Sequence, residues 1–158
     1  MAAPTLGLRH AVLWVTDPAA SARFYAEVLG LEPKTETADA VFMSSPASST
    51  DHDLGLFRAP PGRAQPGQVG LYHLSWEVPT LDDLAEIRTR LVELGAYVGE
   101  NNHGVSRSLY AHDPDGIEFE VMWEVPLAEL REDEPSNVPL DIEADKARFG
   151  PDRVSRGG

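Results

Sequence analysis

Hydrophobic and polar positions along this chain switch between a period of two and a period near 3.6, and the switches come in a repeating order. From Arg9 to Thr16 the side chains alternate, with His10, Val12 and Trp14 on one face and Ala11, Leu13 and Val15 on the other, which predicts a strand. Asp17-Pro18 predicts a helix start, because Asp can accept from free backbone N–H groups and Pro is tolerated at the first helical position. Phe24, Tyr25, Val28 and Leu29 form the apolar stripe, and Gly30 the stop. Strands are expected near Leu31 to Glu36, Ala40 to Ser44 and Asp53 to Arg58, giving a β-α-β-β-β order for residues 6–58.

The same order returns after a linker, 59–69, marked by Pro60, Pro61, Gly62, Pro66 and Gly67. Leu71 to Val78 reads as a strand, and Thr80 with Asp83 as a capping box. Leu84, Ile87, Leu91 and Leu94 form a buried helix stripe that Gly95 ends. Short strands are expected near Ala96 to Glu100, Ser106 to Ala111 and Ile117 to Val125, the last two joined by the turn Asp113-Pro-Asp-Gly116. Two βαβββ modules (6–58 and 70–125) would form one α+β domain, 1–125, with a curved, cup-like mixed sheet and the helices outside. Residues 126–158 then read as a charged, peripheral arm with one short helix near Leu140 to Phe149.

Composition narrows the function classes. Lys and Arg number 13 against 26 Asp and Glu, so the formal charge is 13 − 26 = −13, which disfavours nucleic acid and anionic membranes as partners. The absence of cysteine excludes disulfides, thiolate metal sites and thiol nucleophiles. No signal-peptide pattern opens the chain and no apolar stretch is long enough to cross a bilayer, so a cytoplasmic protein is expected.

The repeat carries candidate chemistry. Leu8, His10 and Val15 recur as Leu71, His73 and Val78 at one offset, 73 − 10 = 63. A histidine on the opening strand of each module plus Glu120 on the last strand would make a 2-His-1-carboxylate set, which suits Fe(II), or Mn(II), and leaves positions open to substrate.

The paired modules, the run Asp17 to Leu31 and the stretch His103 to Glu120 together resemble the vicinal oxygen chelate superfamily over roughly residues 6–125, a superfamily that includes glyoxalase I, bleomycin-resistance proteins and extradiol dioxygenases. The resemblance is nearest to single-domain extradiol enzymes of the catechol 2,3-dioxygenase type. It implies His10, His73 and Glu120 as metal ligands, His52 as an acid/base near bound dioxygen, Tyr110 as a residue that hydrogen-bonds a substrate oxygen, and His103 as a pocket-lining residue. The spacing between His103 and Tyr110 is about two residues shorter than in some extradiol enzymes.

The implied activity is ring cleavage of a small aromatic diol with O2, in aromatic-compound catabolism. The alternatives are a glyoxalase-like lyase, an isomerase or epimerase, or a non-enzymatic resistance protein that binds a small molecule. Glyoxalase I carries a second glutamate in its first module. Here the 63-residue offset leads from Glu120 to Phe57, and allowing for the longer second helix leads to Gly55; neither binds metal. Single-domain relatives commonly pair, so a homodimer with one complete site per chain is expected.

Overall fold

The computed structural model describes residues 8–62 and 70–156. Most of the expected linker, 63–69, lies outside the described residues, as do 1–7 and 157–158. The chain divides into two compact units, residues 1–68 and 69–158.

The first unit runs β1 (Ala11–Val15), α1 (Pro18–Leu29), β2 (Glu32–Glu36), β3 (Ala40–Ser44) and β4 (Leu54–Arg58). Asp17 caps α1 by accepting from Ala19 N–H at 3.1 Å and Ala20 N–H at 3.4 Å. Gly30 ends the helix at φ 66°, a left-handed conformation that costs glycine little. The sheet order is β1-β4-β3-β2, with β1 and β4 parallel and the other pairs antiparallel. Leu13, Val15, Val41, Met43, Leu54 and Leu56 are buried on one face of this sheet, and Pro18, Ser21, Ala22, Tyr25 and Val28 are the buried residues of α1. Burying each of these larger aliphatic side chains is worth roughly 1.5–3 kcal/mol before the entropy of ordering is counted.

The second unit repeats the plan with β5 (Leu74–Glu77), α2 (Leu81–Glu93), β6 (Tyr97–Asn102), β7 (Ser106–His112) and β8 (Glu118–Glu124). The expected capping box is present: Thr80 Oγ1 accepts from Asp83 N–H at 3.1 Å while Asp83 Oδ2 accepts from Thr80 N–H at 3.0 Å. The order β5-β8-β7-β6 matches that of the first sheet position for position. Asp113 fixes the β7–β8 turn, its Oδ1 accepting from Asp115 N–H at 2.9 Å and Ile117 N–H at 2.8 Å. The architecture is therefore α+β, with two four-stranded mixed sheets and three α-helices among the described residues.

The segment expected as a C-terminal arm is described as far as residue 156. A short 3-10 turn (Leu127–Glu129) and α3 (Ile142–Phe149) fold onto the second unit. The Phe149 ring lies 5.3 Å from buried Trp123, whose Nε1–H donates to Arg153 C=O at 2.9 Å. Arg107 points to the same face as Leu109 and Ala111 and is only 1% exposed. Its guanidinium donates to Asp145 at 2.8 Å and to Glu134 at 2.9 Å, and both partners belong to residues 126–156. Glu134 also takes Arg148. Arg148, with Arg107 after it, outweighs burial and holds the Glu134 carboxyl down at about 2. A lone buried guanidinium is costly, so this segment completes the second unit's core.

Candidate active site

Alternation along a strand decides which side chains share the sheet face opposite each helix. In the first unit that face carries His10, Val12 and Trp14 from β1 and its approach, Gly55 and Phe57 from β4, and Phe42 from β3. His10 stacks on His52, ring centroids 4.5 Å apart. Phe42 meets His52 edge-on at 5.0 Å and Phe57 at 5.4 Å, and Phe57 meets Trp14 at 6.1 Å. The first unit thus offers two imidazoles beside an aromatic wall.

His52 is positioned from both sides in sequence. Asp51 Oδ2 lies 2.9 Å from His52 Nδ1, which favours a proton on Nδ1 and leaves Nε2 for chemistry. Asp53 organises the preceding loop, accepting from Ser45 N–H at 2.8 Å, Ser48 Oγ–H at 2.7 Å, Thr50 Oγ1–H at 2.7 Å and Ser44 Oγ–H at 3.2 Å. Burial works to raise its pKa, but these hydrogen bonds, Thr50 foremost, hold the carboxyl below the usual range.

In the second unit the corresponding face is polar. His73, on the approach to β5, places Nε2 3.4 Å from Glu120 Oε2 and Nδ1 3.6 Å from Glu118 Oε1. Tyr110, register partner of Glu120 across β7 and β8, holds its hydroxyl 3.4 Å from Glu120 Oε1 and 2.7 Å from His103 Nε2. Burial first and the Glu120 charge next push the Tyr110 phenol up to about 12, so it is a neutral donor at physiological pH. His112 is exposed beside the turn, as expected of a surface residue.

The structure therefore gathers the expected residues into two groups, His10 with His52 in the first unit and His73, Glu120, Tyr110 and His103 in the second. Among the described residues no three histidine, aspartate or glutamate side chains form a ready metal cluster. The donor chemistry of the second group nevertheless fits an ion. Two ligands each about 2.1 Å from one centre stand roughly 3.0–3.5 Å apart, and His73 Nε2 and Glu120 Oε2 are 3.4 Å apart. His73 Nδ1 is buried without a hydrogen-bond partner, with the Glu118 carboxylate just beyond bonding distance, the kind of outer partner that orients a ligating imidazole.

Register compares the two halves directly. Ser75, two residues after His73, pairs with Glu120; Val12, two residues after His10, pairs with Gly55. Gly55 is thus the first unit's counterpart of Glu120. A Cβ built there would meet Phe57 Cε2 at 3.2 Å and Val12 Cγ2 at 3.3 Å, so the aromatic wall occupies the space a carboxylate would need.

Three contributors escaped the sequence reading: Glu118, Asp53 as loop organiser, and Asn137, whose Oδ1 lies 3.0 Å from His103 Nδ1. Glu118 had a signal, since i and i+2 on a strand share a face and Glu120 was already assigned. Asn137 had none, lying 34 residues from its partner.

Known proteins share sequence and fold with this chain. Biphenyl-2,3-diol 1,2-dioxygenase 3 of Rhodococcus globerulus is 34% identical over 116 residues, 69% of this chain and 58% of its own. Catechol-2,3-dioxygenase of Bacillus subtilis (strain 168) is 27% identical over 137 residues, 85% of this chain and 47% of its own. The chain thus spans about half the length of these curated relatives. The crystal structure of a glyoxylase/bleomycin resistance protein/dioxygenase domain from Frankia sp. EAN1pec has the same fold at TM-score 0.64 and 24% identity, covering 77% of this chain and 100% of that one. The family sequence model matches residues 7–121, and the chain belongs to the Glyoxalase/Bleomycin resistance protein/Dioxygenase superfamily.

Proposed function

We propose that the chain is an Fe(II)-dependent extradiol dioxygenase that opens a catechol-type aromatic diol with O2. The observation that carries this reading is the second unit's convergence of His73, Glu120, Tyr110 and His103 on one sheet face. The curated relatives named for ring-diol dioxygenation support it. So does Gly55, which leaves the first unit without the second glutamate of a glyoxalase-like set.

In this reading His10, His73 and Glu120 hold the metal, two neutral imidazoles and one carboxylate suiting Fe(II), with Mn(II) as the alternative. When bound, the ion supplies a positive charge that lowers the pKa of a catechol hydroxyl and one-electron chemistry toward dioxygen. Glu118 orients His73 through Nδ1. Tyr110 stays protonated, gives its one proton to His103 Nε2 at 2.7 Å and accepts from a diol hydroxyl through its oxygen lone pair. His52 accepts a proton at Nε2 and returns it as the ring opens, while Asp51 keeps Nδ1 protonated. Phe42, Phe57 and Trp14 give the substrate ring an apolar wall. We further propose a homodimer with one site per chain; sedimentation of the purified protein as a monomer would remove that part.

The test is anaerobic loading with Fe(II), then addition of catechol or 2,3-dihydroxybiphenyl and air. A yellow ring-opened semialdehyde with matching oxygen uptake is expected. Metal binding with neither product nor uptake across simple and biaryl catechols would shift the reading to a lyase or isomerase of the superfamily.

A further inference from the structure

Residues 136–138 grip the loop that carries His103 at three consecutive positions. Ser136 Oγ–H donates to His103 C=O at 2.9 Å, and Asn137 Oδ1 sits 3.0 Å from His103 Nδ1. Val138 bridges Asn102 in both directions, Asn102 N–H to Val138 C=O at 3.0 Å and Val138 N–H to Asn102 C=O at 3.2 Å. The other side of the loop is held by buried Arg107, whose Nη1 donates to Asn102 Oδ1 at 2.9 Å and to Gly104 C=O at 2.8 Å. Arg107 is itself anchored by Glu134 and Asp145, so one clamp fixes both the loop and the segment that supplies Asn137.

Asn137 is also the one non-glycine with positive φ among the described residues, at 57°. Asn tolerates that conformation better than most residues, and here it turns the side chain toward His103. An imidazole held by an amide oxygen must carry a proton on Nδ1. In the neutral ring Nε2 is then a lone pair, and Nε2 is the atom 2.7 Å from the Tyr110 hydroxyl. The single phenol proton faces two acceptors, Nε2 at 2.7 Å and Glu120 Oε1 at 3.4 Å, and the nearer one takes it.

We infer that Asn137 is a positioning residue for the site: it selects the Nδ1–H tautomer of His103 and, through it, sets the direction of the Tyr110 hydroxyl. No contact between Asn137 and substrate is required. The effect on turnover rests on the dioxygenase reading, whereas the tautomer does not.

Two variants separate side chain from backbone. Asn137→Gly keeps the positive φ and removes the amide, and Asn137→Asp keeps an acceptor oxygen. Long-range 1H–15N spectra of the metal-free protein read the His103 tautomer directly, and kcat and KM with a catechol are measured on the Fe(II)-loaded enzyme. The inference expects Nδ1–H in the wild type and in Asn137→Asp, and loss of that preference in Asn137→Gly. It also expects kcat to fall roughly tenfold in Asn137→Gly with little change in KM, recovering in Asn137→Asp. An Asn137→Gly protein with the wild-type nitrogen spectrum overturns the inference whatever the activity. If the tautomer shifts as expected but the wild type opens no catechol, the positioning stands and the dioxygenase reading fails.

Discussion

The two sheets share an order, a register and an opening-strand histidine, yet their functional faces have opposite character. The first places Gly55 where the second places Glu120, and Phe42 where the second places Tyr110. The first unit stands on its own core, whereas the second recruits residues 126–156 to neutralise a buried arginine and to steady the His103 loop. One scaffold thus occurs twice with unlike faces, aromatic side chains beside two imidazoles in the first and carboxylates beside a phenol in the second. On this account a change at matched positions in the two halves should have unlike consequences.

The largest contrast is expected at Glu118 and Glu120, two residues apart on one strand face. Glu120→Gln removes the one anionic ligand of the proposed set and should abolish Fe(II) retention through desalting, measured by metal content. Glu118→Gln should keep the ion but weaken it by roughly 10–100-fold, as loss of an outer partner does. Equal losses in both would mean that Glu118 shares the ligand role.

Next is His52→Ala in the first unit. Metal retention and catechol binding are expected to survive while turnover falls by roughly 10²–10⁴, the span for a lost general acid/base. Loss of the metal instead would make His52 a ligand and dissolve the proposed division of labour.

A third contrast concerns acid. Glu134 has a folded pKa of about 2 against an ordinary 4.5, so its contribution to stability is complete above pH 4.5 and is lost as pH falls toward 2. Glu134→Gln should cost about 3 kcal/mol at neutral pH, the lower range for breaking a buried pair, and should flatten the acid limb of a urea-midpoint series. An unchanged acid limb would show that Arg107 relies on Asp145 alone.

The smallest effect tests the glycine. Gly55→Ala forces a methyl toward Phe57 and Val12, and should destabilise by about 1–2 kcal/mol in urea denaturation. A stabilised variant would mean that the aromatic wall yields readily and that glycine is not required there.

Much of this was legible because local signals agreed with the fold. Ala40 to Ser44 is a strand over its expected range, both helix caps form, and the Asp113 turn closes as its residues dictate. Leu71 to Val78 ran long: the alternation begins at Leu71, but the ladder with β8 begins at Leu74↔Phe119, leaving Leu71 and Tyr72 exposed. The expected strand from Ala96 instead begins at Tyr97 and extends to Asn102, because the ladder with β7 continues through Asn101↔Ser108 and Asn102↔Arg107.

Arg107 was hidden by its own polarity. On an alternating strand a charged residue reads as solvent-facing, and only partners 27 and 38 residues away make burial tolerable. The acidic residues of the last segment read as solvated charge for the same reason. In the site, histidines on equivalent strands were visible as a repeat, while the pairing of Asn137 with His103, 34 residues away, arises only in the folded chain.

The most direct measurement is the Fe(II) content of the wild type beside His10→Ala, each loaded anaerobically and dialysed. The account assigns one ion to ligands from both halves, so it predicts close to one equivalent per chain in the wild type and almost none in His10→Ala, although His73 and Glu120 are intact. Wild-type retention by His10→Ala would contradict it, leaving the second unit to bind metal alone.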